Sequence, residues 1–264
     1  MPPALVCYHL TTAPDVLLHA YLNDLPVFRG PHRGPETQQG GANHWLVPGE
    51  NTLTLDVLRA PRPRSTGAPP GEPIRFVLFT AADPVHAPKD VTIIHEVRFS
   101  EIIERTPEAE HEPYHYTARF DLGVPVNAPV YLSSPMSDVD CRGTPELHQA
   151  IADLHASLAA GDVDRFLDLC SLRNEEYVFA YEGLGPTVDS LRDVARGFFA
   201  SGPIVEPLEP DALHFEARAL GRVVCVSRAD GRSAIEARTR DDEAAVLRVD
   251  PWLTRKDGAW RIFG

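Results

Sequence analysis

Residues 144–161, TPELHQAIADLHASLAAG, decide how the fold is read. Thr144 suits a helix N-cap, Pro145 the first helical position, and Glu146 the positive end of the helix dipole. Leu147, Ile151, Leu154 and Leu158 recur at helical spacing as one apolar stripe, and Gly161 ends the run. Asp162 then caps a second helix through Cys170 that turns Val163, Phe166, Leu167 and Cys170 inward. Residues 175–181 read as a further helix or as the start of a strand. Thr187 opens one more helix, with Val188, Leu191, Ala195, Phe198 and Phe199 inward. After Pro210 the apolar period changes to two, at Leu213, Phe215 and Ala217 and then over 222–227. Asp230-Gly231 signals a hairpin, followed by strands at 233–239 and 244–249. A last hairpin joins 252–254 to 260–263 through Lys256-Asp257-Gly258. Helices followed by a curved antiparallel sheet make an α+β plan.

Upstream the composition differs. Nineteen of the 25 prolines lie in residues 1–135. Proline interrupts helices and populates loops and strand edges, so this half is expected to be β-rich. Residues 19–22 and 26–28 flank Asn23-Asp24, a hairpin turn without the glycine that would strengthen it. Residues 45–47 lead into the turn Pro48-Gly49-Glu50-Asn51. Beyond it Leu53, Leu55 and Val57 alternate with polar residues, the period of a strand with one wet face. Residues 74–79 and 91–99 are apolar strands, 115–122 alternate again, and 59–73 read as a loop. The expected organisation is an antiparallel sandwich over 1–135, a linker over 136–143, and an α+β domain over 144–264.

Two resemblances sharpen this plan. LVPGENTL at 46–53, with YLND at 21–24 before it, resembles the turn-and-strand edge of galactose-binding-like jelly rolls. AGDVD at 160–164 and LTRKDGAWRI at 253–262 resemble the NTF2-like, or cystatin-like cone, superfamily. The second resemblance implies a C-terminal cone. Its members include enzymes, small-ligand binders and protein-binding modules, so the fold alone leaves activity open. If the cone encloses a pocket, its polar lining is expected from Tyr177, Tyr181, Arg238 and Trp252.

Composition excludes some partners. The formal net charge is −13, and the basic residues are scattered, so nucleic acid and anionic membranes are disfavoured. A basic protein partner is electrostatically allowed. Among the 25 basic residues only Lys89 and Lys256 are lysines, a coding bias that points to a bacterial source. Cys7, Cys141, Cys170 and Cys225 fit no zinc or disulfide spacing and read as free thiols of a reducing compartment. The opening MPPALVCYHL has no signal-peptide pattern, and a cytoplasmic address is expected.

The sharpest motif is His111-Glu112-Pro113-Tyr114-His115, a literal H-E-x-x-H. Zinc chemistry with this motif requires a helix, and Pro113 breaks one. On a strand the two imidazoles lie ~13 Å apart, too far for one ion. Asp138 and Asp140 read as linker residues, Asp162 and Asp164 as helix-capping charges, and residues 240–243 as a charged hairpin tip. His214 and Glu216 point the same way on their strand, as a base and its orienter would, but opposite the apolar Leu213 and Phe215, and so toward water.

These readings favour a non-enzymatic recognition protein that binds another protein, for example as an immunity protein neutralises its toxin. No cofactor and no metal are expected. The alternatives are an NTF2-like enzyme or small-ligand binder using the cone, and a carbohydrate-binding module using aromatic loops of the sandwich near Trp45.

Overall fold

The computed structural model describes residues 3–13, 16–29, 36–59, 73–81, 91–105, 113–238 and 246–264. The chain is α+β with a β-rich N-terminal part. It divides into two compact units, Met1–Pro129 with Ala180–Leu184, and Val130–Phe179 with Gly185–Gly264.

The first unit holds strands β1 (Val6–Thr12), β2 (Leu17–Leu22), β3 (Leu25–Arg29), β4 (Glu36–Gly41), β5 (Glu50–Arg59), β6 (Ile74–Thr80), β7 (Thr92–Arg98) and β8 (Tyr114–Asp121). Helix α1 (Phe99–Arg105) follows β7. Two antiparallel sheets form, in the orders β4-β1-β6-β7 and β3-β2-β5-β8. They share one core, where Tyr8, Leu10, Phe76 and Leu78 meet Leu18, Leu22, Leu55 and Phe120. This is a sandwich, two sheets each hiding one face. On β5 the alternation holds as read, with Leu53, Leu55 and Val57 fully buried and Thr54 and Asp56 on the other side. Burying each such side chain contributes about 2 kcal/mol.

The turn between β2 and β3 needs no glycine, because Asn23 (φ 51°) and Asp24 (φ 67°) both adopt the left-handed conformation. Asn23 is also tied into the following loop. Its Nδ2 donates to the Trp45 carbonyl and to Asn51 Oδ1, 2.8 Å each, and its Oδ1 accepts from Thr52 N. Asn51, 1% exposed, donates from Nδ2 to the Val47 and Gly49 carbonyls and accepts at Oδ1 from Val47 N. The two asparagines thus set the shape of LVPGENTL. The chain just before it, expected extended from Trp45, instead makes a 3-10 turn over Asn43–Trp45.

The second unit holds α2 (Pro145–Ala160), α3 (Val163–Leu169), α4 (Ser171–Ala180) and α5 (Val188–Ala200). Its strands are β9 (Ile204–Val205), β10 (Leu213–Arg218), β11 (Val223–Arg228), β12 (Ile235–Arg238), β13 (Val246–Val249), β14 (Trp252–Lys256) and β15 (Ala259–Ile262). The sheets are β10-β11-β14-β15 and β13-β12-β9, both antiparallel. Thr144 is extended at the N-cap of α2 and Gly161 (φ 69°) is left-handed at its end, although the Thr144 hydroxyl makes no cap bond. Asp162 accepts from Arg165 N and starts α3. Thr187 and Ser190 form a reciprocal capping box on α5. The ambiguous residues 175–181 resolve mostly as the end of α4.

The Asp230-Gly231 hairpin is a correction. Among the described residues β11 and the chain after the turn share one bridge, Ser227 to Ser233, and β12 then joins the other sheet. Asp250 explains the departure. Its carboxylate accepts from Ala234 N (3.0 Å) and Ser233 Oγ (3.3 Å), beside the point where the strands part. Residues 136–143, expected as a linker, bond to the β10–β11 hairpin, through Ser137 N to the Gly221 carbonyl and Phe215 N to the Cys141 carbonyl. Among the described residues no helix is long and apolar enough to cross a membrane.

Candidate functional site

Among the described residues, chemistry-bearing side chains gather at three places within the units. The first is the outer face of the sandwich. The register sets His19, Asp56 and His115 side by side on β2, β5 and β8. His115 Nδ1 lies 2.5 Å from Asp56 Oδ1, Thr117 Oγ1 lies 3.2 Å from His115 Nε2, and Thr54 Oγ1 follows at 3.3 Å. Hydroxyl, imidazole and carboxylate therefore stand in the order used by acyl-transfer enzymes. No local pattern signals it, since Asp56 and His115 are 59 residues apart. This chain lies on an open sheet face. His115 is 70% exposed, so water competes for both partners of the pair. Such a pair lacks the enclosure that strengthens catalytic electrostatics. Its histidine is the second of the H-E-x-x-H motif, on a strand as expected; His111 and Glu112 lie outside the described residues.

The second place is the interior of the second unit. Leu147, Ile151, Leu154 and Leu158 of α2 pack on Leu213, Phe215, Val224, Val226, Leu253 and Ile262 of the sheet. These side chains form one apolar cluster. Cys170 stands at its edge, and burial pushes its thiol up to about 11, so it remains protonated and unreactive. At the start of α2 a pocket of about 520 Å³ opens, lined by Thr144, Pro145, His148, Leu208, Pro210 and Leu213 among others. Its polar lining is only partly engaged, since Thr144 Oγ1 is buried without a hydrogen-bond partner. His148 Nε2 lies 2.7 Å from the Arg142 carbonyl, with the ring over Phe215. The neighbouring Thr144 side chain and the Glu146 backbone N–H lower the Glu146 carboxyl below the usual carboxylate range, so the helix's positive end already carries an anion.

The four expected pocket residues stand apart from that opening. Tyr177 is half-buried on α4, Arg238 on β12 is exposed and pairs with Glu206 at 2.7 Å, and Trp252 on β14 is buried against the backbone of Gly264. Tyr181 belongs to the first unit, where its ring lies over Gly41 and its hydroxyl is 3.1 Å from His44 Nδ1. In the same place Asn43 donates to the Ala4 and Ala180 carbonyls and accepts from Val6 N. His214 and Glu216 are half-buried rather than turned wholly to water. Glu216 pairs with Arg218, and its ladder partner Cys225 is buried with Trp252 on that face.

The third place is the rim of the sandwich at His95, which sequence reasoning passed over. Asp140 pairs with Arg142 in solvent, and residues 240–243 lie outside the described residues. Among the described residues no three His, Cys, Asp or Glu side chains converge as metal ligands. In comparisons with known proteins, the chain matches no family model, no curated protein and no solved structure.

Proposed function

We propose that this protein is a non-enzymatic, cytoplasmic bacterial recognition protein that binds another protein, in the manner of an immunity protein that neutralises a toxin. In this reading the first unit is jelly-roll-like and the second NTF2-like. The observation that carries it is the packing of the second unit. Where an NTF2-like enzyme needs converging ionisable groups, the space between α2 and the sheet holds Leu154, Leu158, Phe215 and Val226 in contact. The net charge of −13 favours a basic partner, whose approach it accelerates.

A second reading rests on the pocket at the start of α2, whose volume suits a small apolar ligand. Native mass spectrometry of the protein recovered from its own cells separates the two. The expected result is a stoichiometric complex with one basic protein. A chain found always alone at high concentration, or carrying a small-molecule adduct instead, refutes the first reading.

A further inference from the structure

His95 stands on β7 on the core-facing side of the sandwich, opposite Leu78 in the ladder. Its ring stacks on Phe120 of β8, with centres 5.0 Å apart and planes 8° from parallel. Its Nε2 is buried and makes no hydrogen bond. Strands β7 and β8 are edges of opposite sheets, and α1 packs on both. Phe99 and Ile102 anchor this helix in the core, and Arg105 lies over the Tyr116 ring, 5.7 Å from its centre.

Among the described residues, few charged and titratable groups face His95. Helix α1 presents Glu101 and Arg105, and β8 presents Tyr116, which feels the same two charges. β6 offers Leu78 across the ladder. Glu96, the sequence neighbour, is held by Arg75 and Arg98 at 2.9 Å each.

We propose that α1 is an acid-released cover: when His95 takes up a proton, α1 leaves the sandwich rim and bares the apolar strip of Val97, Tyr116 and Phe120, while the sheets stay paired. A neutral imidazole is at home against Phe120, but an imidazolium there has an N–H with no acceptor and no water. Opening α1 supplies the water. Burial holds the imidazole below its usual value of 6.5; Glu101 opposes this shift and Arg105 reinforces it. The closed form therefore binds a proton less readily than the open one. Closure is fully favoured above pH ~6.5 and loses ground as pH falls below it, by up to about tenfold per pH unit.

Amide hydrogen exchange of the full chain at pH 7.5, 6.5 and 5.5, corrected for intrinsic rates, tests this. The expected result is a loss of protection in Phe99–Arg105 approaching tenfold between pH 7.5 and 5.5, most of it below pH 6.5, with β2 and β5 unchanged. In His95→Phe and His95→Gln, α1 is expected to keep its neutral-pH protection at pH 5.5. Flat protection in the wild type overturns the proposal, as does the same acid loss in a variant that folds. A loss shared by β2 and β5 overturns it too, since that is general acid unfolding. If His95→Phe fails to fold, the smaller polar change to Gln carries the comparison.

Discussion

Replacing Asn51 with alanine is expected to unfold the first unit well before the second. Asn51 is 1% exposed and makes four hydrogen bonds, three to the backbone of its own loop and one to Asn23. Each bond contributes about 1 kcal/mol net, and the partners left buried without a replacement add to the loss. The sum is about 3–4 kcal/mol, a large share of the 5–15 kcal/mol that typically holds a domain folded. For a unit of this size that corresponds to a fall in Tm of roughly 10–15 °C. Asn51→Asp is expected to be no better, because it keeps an acceptor, loses both donations and brings a charge into a dry loop. The three tryptophans separate the units conveniently, with Trp45 in the first and Trp252 and Trp260 in the second. Their indole N–H signals, followed by NMR through a urea titration, report each unit. A loss below about 1 kcal/mol at Trp45 would refute the account of the loop. An equal shift at Trp252 and Trp260 would show that the loss is not local.

Two further outcomes follow from backbone strain and thiol burial. Leu220 is 81% exposed at φ 58°, in the left-handed region that disfavours leucine. Leu220→Asn is expected to stabilise the second unit by about 0.5–1 kcal/mol, since asparagine tolerates that conformation, and a lower urea midpoint at Trp252 would contradict this. Cys141 is exposed, whereas burial raises the Cys7 and Cys170 thiols to about 11 and Cys225 is buried. Iodoacetamide at pH 8 is expected to alkylate Cys141 quickly and the other three only on unfolding; peptide mapping that finds Cys7 or Cys170 labelled first would contradict it.

Periodicity and turn chemistry carried much of the fold. Leu53, Leu55 and Val57 declared β5, the stripe from Leu147 to Leu158 declared α2, and Asp257-Gly258 declared the last hairpin. What stayed hidden had weak local signals or distant causes. β4, with sequence ETQQGG, has no large apolar side chain and is held by its ladder to β1. α1 is seven residues long and anchors only Phe99 and Ile102, too little for a helical stripe. β12 left its expected partner because of Asp250, sixteen residues beyond Ala234. The clustered side chains were least legible. Asp56 meets His115 and His95 meets Phe120 through pairing and sheet stacking, and no spacing along the chain encodes either. Tyr181 stands next to α4 in sequence, yet its partner His44 lies 137 residues earlier.

That last contact constrains biosynthesis. The first unit takes its final five residues, Ala180–Leu184, from beyond the start of the second. A ribosome that has just delivered Pro129 must add the intervening chain before Ala180 can meet Asn43, a wait of roughly 3–11 s at ordinary elongation speeds. During that interval the nascent sandwich carries an unfilled seat over Gly41. Truncating a gene at residue 129 would make the vacancy permanent.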